Sequence, residues 1–240
     1  MTEPMKQKSG WWLPGKDTYF AQFLVPQEPV FKEGSIALDR KKNGFQRDHL
    51  VAALKYVKRW GVAVDVGAHI GFWAWDMAHK FKKVYCFEPA PDCFACLEKN
   101  MGEFSHVQLV NAAVGHREGE CQLIDDPKRI QKVGVNTGAR YVTAGHGTTL
   151  ITLDSLRLEG CDFLKIDVEG FEYQVLQGAR KLIKRYRPVI SMETDKRFSG
   201  ARYGIPNTQA HTFLMALELG YQCVERNSPD SVYAPSFPHV

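Results

Sequence analysis

The sequence predicts an α/β fold: a doubly wound, mostly parallel sheet with helices on both faces, ending in an antiparallel hairpin. Three observations predict it. Short β-branched runs alternate with stretches of helical apolar spacing, the pattern of strands joined by helical crossovers. Glycines and acidic residues recur where those runs end. The last two apolar runs are joined by too few residues for a helical crossover, so they pair antiparallel.

The elements follow in order. Residues 1–44 are irregular, with Trp11, Trp12, Tyr19, Phe20 and Phe23 among prolines and glycines. They cannot build a core and are expected to fold back on residues 45–240, as a packing arm or as a lid over an acceptor. Residues 45–60 carry Leu50, Ala53, Leu54 and Val57 at helical spacing, and Gly61 ends the helix. Val62–Val66 is a buried strand, followed by a glycine turn, a helix over 72–81 and a strand over 83–87. Pro91 opens a helix to about Met101, because its missing N–H has no helical partner at that position anyway. Val107–Val110 is the third strand.

Residues 115–160 are polar and dotted with Gly134, Gly138, Gly145 and Gly147, which predicts a long recognition loop with short extended pieces such as 140–143. Alternation then resumes. Residues 162–166 form a strand, 172–185 a helix and 188–192 a strand. Asn207 caps a helix to about Leu219, and residues 221–224 and 231–233 form the hairpin.

Composition excludes several classes. A net charge of +4 over 240 residues is too modest to argue for nucleic acid, and the basic cluster Lys181, Lys184, Arg185 and Arg187 reads as a solvated face. No run approaches the roughly 18 apolar residues of a membrane span, and the first ten residues lack a secretion signal. A cytoplasmic location is expected. Cys93 and Cys96 have CxxC spacing, but no second pair completes a zinc site, so neither metal nor disulfide is expected.

Ligands of such a sheet sit beyond the carboxyl ends of the strands. There the sequence places Asp65-Val-Gly-Ala-His-Ile-Gly71, Phe87-Glu-Pro89, Asn111-Ala-Ala-Val-Gly115, Asp167-Val-Glu-Gly-Phe-Glu172 and Glu193-Thr-Asp195. Acid follows acid on a chain that is net positive. Gly67 and Gly71 let a turn pass close to a ligand. Glu88, about twenty residues on, can accept hydrogen bonds from both ribose hydroxyls, each such charge-assisted bond contributing about 1.5–3 kcal/mol. The spacing Gly67-x-x-x-Gly71 is not GxGxxG, and Asp65 before the turn repels a pyrophosphate. A sulfonium and an α-amino group suit these acids, which points to S-adenosylmethionine.

The stretch Leu164-Lys-Ile-Asp-Val-Glu-Gly-Phe-Glu172, together with 64–71, 87–89, 111–115, Arg187-Pro188 and Glu193, resembles the FkbM family of class I methyltransferases. One residue departs from that pattern: His69 stands where the family commonly has Asn. The resemblance implies a Rossmann-like, seven-stranded sheet ordered 3-2-1-4-5-7-6. It places Asp65, Gly67 and Gly71 at the methionyl portion of the cofactor, Glu88 at the ribose and Asn111, Ala112 and Ala113 at the adenine. Ala68, His69, Pro89 and Asp167 complete the cofactor-binding set. It also implies O-methylation, often of sugar or natural-product hydroxyls.

Holding an acceptor oxygen in line with the methyl supplies up to about 7–11 kcal/mol, and a general base adds about 10²–10⁴-fold. Asp167, Glu169 and Glu193 are the candidate catalytic residues. Asp167 can instead hold the ligand's amino group, Glu169 can cap the helix after Gly170, and Glu193 can pair with Arg or Lys. Two other readings compete: a nucleic-acid methyltransferase, which calls for lysines near the acceptor, and a binding module without catalysis. Lys165 points into or across the sheet by alternation.

Overall fold

The computed structural model describes residues 3–6, 11–15, 31–32, 35–36, 46–127, 136–194, 198–206 and 208–236. Two short antiparallel ribbons come first: β1 (Pro4–Lys6) with β2 (Trp12–Pro14), and β3 (Phe31–Lys32) with β4 (Ser35–Ile36). Helix α1 (Arg47–Leu54) leads into β5 (Val62–Val66), α2 (Phe72–Ala78), β6 (Lys83–Phe87), α3 (Pro91–Met101) and β7 (Val107–Val110). Then come β8 (Ala113–Val114), β9 (Gly119–Asp125) and β10 (Arg140–Ile151). The second half runs β11 (Phe163–Ile166), α4 (Glu172–Gly178), α5 (Arg180–Tyr186), β12 (Val189–Glu193), α6 (Phe198–Tyr203), α7 (Thr208–Ala216), β13 (Tyr221–Asn227) and β14 (Asp230–Pro235).

Seven strands form one sheet in the order β13-β14-β12-β11-β5-β6-β7, which is 3-2-1-4-5-7-6 when those seven are counted along the chain. The pairs among β7, β6, β5, β11 and β12 are parallel, and β14 is antiparallel to both neighbours. Alternation sends Ala63, Val84, Phe163, Val189 and Val232 to one face, where they pack with α1, α2 and α3. Val64, Phe87, Leu164, Ile190 and Tyr233 go to the other, against α4, α5 and α7. Helices α1 to α5 and α7 therefore each bury one apolar stripe on one sheet face, as a doubly wound core requires.

The described part of the N-terminal arm packs on the first helical layer. Trp11 stacks on Phe72 with ring centroids 5.5 Å apart, and Leu13 is buried beside it. Asn100 of α3 ties the arm down, accepting from the Trp12 N–H at 2.8 Å and donating to the Trp12 carbonyl at 3.0 Å. Tyr19, Phe20 and Phe23 lie outside the described residues.

Three expectations need correction. The helix read over 45–60 stops at Leu54, where the Tyr56 and Val57 amides tighten onto the i−3 carbonyls of Ala53 and Leu54. The helix read over 172–185 is two helices. Gly178 passes so close to the Gly115 carbonyl that a Cβ would lie 1.9 Å from its oxygen, and Asp154 caps a fresh start by accepting from the Lys181 and Leu182 amides at 2.9 Å. The stretch read as a long loop supplies β9 and β10, which join β8 in a three-stranded sheet in the order β8-β10-β9. Gly145 and Gly147 form a bulge inside β10, with the register slipping between Thr143 and Thr148, so glycines that read as loop interrupt a strand instead. Cys93 and Cys96 are buried on α3, and all six cysteines are free thiols.

Candidate active site

A cavity of about 480 Å³ opens beyond the carboxyl ends of β5, β6, β11 and β12. The acid-rich strand ends form one wall. The three-stranded sheet and the helical turn before β10 supply the other, with Leu123, Thr137, Arg140 and Val142. No described residue before Gln46 lines it.

The glycine turn after β5 folds over the end of β6, with the Gly67 and Ala68 amides both donating to the Phe87 carbonyl at 3.0 Å. Gly67 has φ +80°, and a Cβ there would lie 1.9 Å from the Asp167 carbonyl oxygen. Only glycine lets the ends of β5 and β11 approach so closely. His69, at φ +53°, turns its N–H onto Glu88 Oε2 at 2.8 Å and sets its ring Nε2 2.8 Å from Thr137 Oγ1. The Ala90 amide donates to Glu88 Oε1 at 2.8 Å. Burial raises the Glu88 pKa to about 7 against the pull of those two amides.

Of the residues assigned to cofactor binding, Gly67, Ala68, His69, Glu88, Pro89, Ala112, Ala113 and Asp167 line the cavity. Asp65, Gly71 and Asn111 do not line it. A Cβ on Gly71 would point at Leu97 and Met101, 3.0 Å away, rather than at the cavity. Asn111 donates its amide to the Glu88 and Pro89 carbonyls at 2.8 and 3.2 Å, holding the ends of β6 and β7 together.

Asp65 is fully buried, and neither oxygen has a hydrogen bond of good geometry. Its partner is an ammonium: Lys165, its register neighbour on β11, places Nζ 3.1 Å from Oδ1. The same Nζ donates to the Gly67 carbonyl at 2.7 Å, lies 3.6 Å from Asp167 Oδ2 and sits 5.7 Å from the Trp73 ring centre. Burial disfavours the Lys165 charge, but the charges of Asp65 and Asp167 outweigh it and hold the pKa above its ordinary value.

All three candidate catalytic acids line the cavity, and their surroundings differ. Asp167 is partly exposed there. Glu169, at φ +56°, has its carboxylate 3.2 Å from the Arg202 guanidinium, which also bonds the Glu169 carbonyl and lies 2.6 Å from Asp126. Glu193 has its pKa pushed far up, by burial and by the negative charges of Asp167, Glu169, Glu172 and Asp230. The loop before α4 is tied by Glu172, which accepts from the Val168 and Gly170 amides at 3.2 and 3.1 Å; the sequence reading offered Glu169 for that role. His146 is exposed on the β10 bulge beside Glu120.

Sequence reasoning missed Lys165, Thr137 and Arg140 as wall residues, and Arg202 as the partner of Glu169. Lys165 had a signal: a strand residue two before Asp167 shares its face. The others had none, because the three-stranded sheet and α6 bring them in from afar. Among the described residues, no group of three or more His, Cys, Asp and Glu side chains is placed to hold a metal.

A doubly wound sheet in this strand order, with glycine turn and acids at its carboxyl edge, defines a class I methyltransferase fold. The family model for the methyltransferase FkbM domain matches residues 65–223, and the chain belongs to that family. It resembles the solved structure of the methyltransferase FkbM from Methylobacillus flagellatus KT, with TM-score 0.51 and 18% identity. That match covers 72% of this chain but only 43% of that protein. It also resembles precorrin-6y C5,15-methyltransferase from Geobacter metallireducens GS-15 (TM-score 0.45, 14% identity, 92% of this chain and 98% of that one). A third likeness is to an rRNA methylase from Streptococcus thermophilus (TM-score 0.42, 10% identity, 76% and 91%). No curated protein matches the sequence.

Proposed function

We propose that this protein binds S-adenosylmethionine and methylates a hydroxyl oxygen of a sugar or another small-molecule or glycan acceptor. One observation carries the reading: carboxylates crowd at the cavity without enough cations to neutralise them. Asp167 and Glu193 face the cavity together, and Glu193 is driven towards its protonated form by its neighbours. A cationic ligand relieves that repulsion. The remaining wall fits the rest of the cofactor. Each Glu88 oxygen already accepts one backbone N–H and keeps a lone pair for a ribose hydroxyl, and Ala112 and Ala113 leave a flat apolar edge for adenine.

Bound there, the cofactor supplies an electrophilic methyl group on a positively charged sulfur. The protein's part is to orient and to take a proton. Asp167, a partly exposed carboxylate on the cavity wall, receives the acceptor's proton. Lys165 stays charged and cannot be a base; it fixes the Gly67 carbonyl and spaces Asp65 from Asp167. Glu169, paired with Arg202, shapes the acceptor side. Cytoplasmic location is part of the proposal. Its support is the six free thiols, and no described helix is long and apolar enough to cross a membrane.

The test is mass spectrometry of cell extract incubated with the protein and isotopically labelled donor, which reveals the molecule that gains the methyl. A labelled glycan or small molecule supports the proposal. Label on RNA alone replaces it with the nucleic-acid reading, which Lys165 at the cavity wall favours. Absence of any donor binding by calorimetry removes both.

A further inference from the structure

A row of ionisable side chains crosses the sheet on the face that carries α1. Asp65, Lys165 and Ser191 are register partners on β5, β11 and β12, so their side chains share that face. Glu193, two residues beyond Ser191, shares it too, and its antiparallel partner is Asp230 at the start of β14. Asp230 is buried, and its carboxylate lies 2.6 Å from Nδ1 of His49 on α1. The other ring nitrogen, Nε2, lies 4.0 Å from Asp48, an exposed residue. The row therefore starts at the candidate active site and ends at a half-buried imidazole with one nitrogen turned inward and one outward.

We propose that His49 and Asp230 are the proton outlet of the active site. The inference rests on the donor-binding reading above. In the reaction the acceptor's O–H bond breaks as its C–O bond forms, and the C–S electron pair leaves with sulfur. The proton goes to Asp167, passes by way of Glu193 to Asp230 and His49, and leaves from Nε2 to solvent. His49 and Asp230 are positioning residues for this transfer, since neither lines the cavity.

The groups facing the imidazole set its charge. Asp230 raises its pKa through the hydrogen bond, burial opposes this, and the charges of Asp230, Asp48 and Asp167 raise it further. Lys165 and Glu193 reach it through Asp230. Arg47, the α1 neighbour two residues away, is turned instead into a buried pair with Asp76 of α2, its Nε and Nη2 each 2.8 Å from a carboxylate oxygen. The hydrogen bond and the surrounding carboxylates therefore favour the charged imidazole. A cation arriving at Asp167 and Glu193 disfavours that charge, so His49 sheds its proton to solvent and stands ready for the next one. Two strand spacings, about 10 Å, separate β11 from β14, and a unit charge at that range through an effective dielectric of about 20 moves a pKa by about one unit.

The experiment is an NMR titration of the His49 ring in the whole protein, free, with S-adenosylmethionine and with S-adenosylhomocysteine, alongside calorimetry of both ligands. The expected result is a midpoint lowered by about one unit with the sulfonium and little moved with the neutral thioether. In calorimetry across buffers of different ionisation enthalpy, His49→Gln and Asp230→Asn should remove part of the proton release on donor binding. His146→Gln, on the exposed bulge, should not. Donor binding with an unmoved His49 midpoint overturns the outlet. Full proton release retained in a folded His49→Gln protein also overturns it. Failure of either ligand to bind overturns the donor-binding reading itself, and the outlet with it.

Discussion

Lys165 and Asp65 are paired across neighbouring parallel strands, ammonium to carboxylate at 3.1 Å, with both side chains buried. The pair sits directly beneath the glycine turn and supports it, because the same ammonium holds the Gly67 carbonyl. Removing one charge from such a pair strands the other in a medium that cannot solvate it. Lys165→Met is expected to lower stability by about 3–5 kcal/mol in urea denaturation, and Lys165→Arg to lose less. Equal stability of Lys165→Met and the wild type would remove the pair from its supporting role.

Glu88 is held by two backbone amides, so its carboxylate is in place before any ligand arrives. Glu88→Ala is expected to weaken S-adenosylmethionine binding by about 10- to 100-fold, the loss of one or two charge-assisted hydrogen bonds. Calorimetry checks this, and unchanged affinity contradicts the assignment.

Asp167→Asn keeps the shape of the site and removes the proton acceptor. The expected outcome is a fall of about 10²–10⁴-fold in kcat, with affinity for S-adenosylhomocysteine changed far less. A variant with wild-type turnover would pass the role to another group.

Two glycines with positive φ should respond very differently to alanine. At Gly67 the new methyl meets the Asp167 carbonyl at 1.9 Å, whereas at Gly147 it meets nothing within 4 Å. Gly147→Ala is expected to lose about 1–2 kcal/mol from left-handed strain alone. Gly67→Ala must also force β5 and β11 apart, so its melting temperature should fall by several times as much.

The buried acids set a pH dependence for the free protein. Glu88 and Glu172 have folded pKa values raised to about 7, largely by burial, from 4.5. Between those values the folded state holds protons that the unfolded state has released, so these two groups make stability fall as pH rises from about 4.5 to 7, and Glu193, raised further still, prolongs the decline above 7. Each group contributes at most about 1.4 kcal/mol per pH unit. Denaturation at pH 5, 6 and 7.5 should show the decline, and Glu172→Gln should flatten it. A rise in stability over that range would reverse the assigned direction.

Periodicity and turn chemistry, which are local, determined much of this protein. Runs such as Val62–Val66 and Lys83–Phe87 match strands residue for residue, because a parallel strand covered on both faces leaves a short, mostly apolar run in the sequence. The glycine turn, Glu88 and the Asp167-Val-Glu-Gly170 segment could be placed at one edge of the sheet, because strand ends in such a fold converge. Tertiary structure decided what depends on distant partners. The bulged β10 strand needs β9 to reveal it, and the break at Ala179 needs Gly115 and Asp154. Only the assembled sheet shows that Asp65 answers to Lys165 rather than to the cavity, and that His49 and Asp230, 181 residues apart, touch. Charge acts through space, and the sequence orders residues only along the chain.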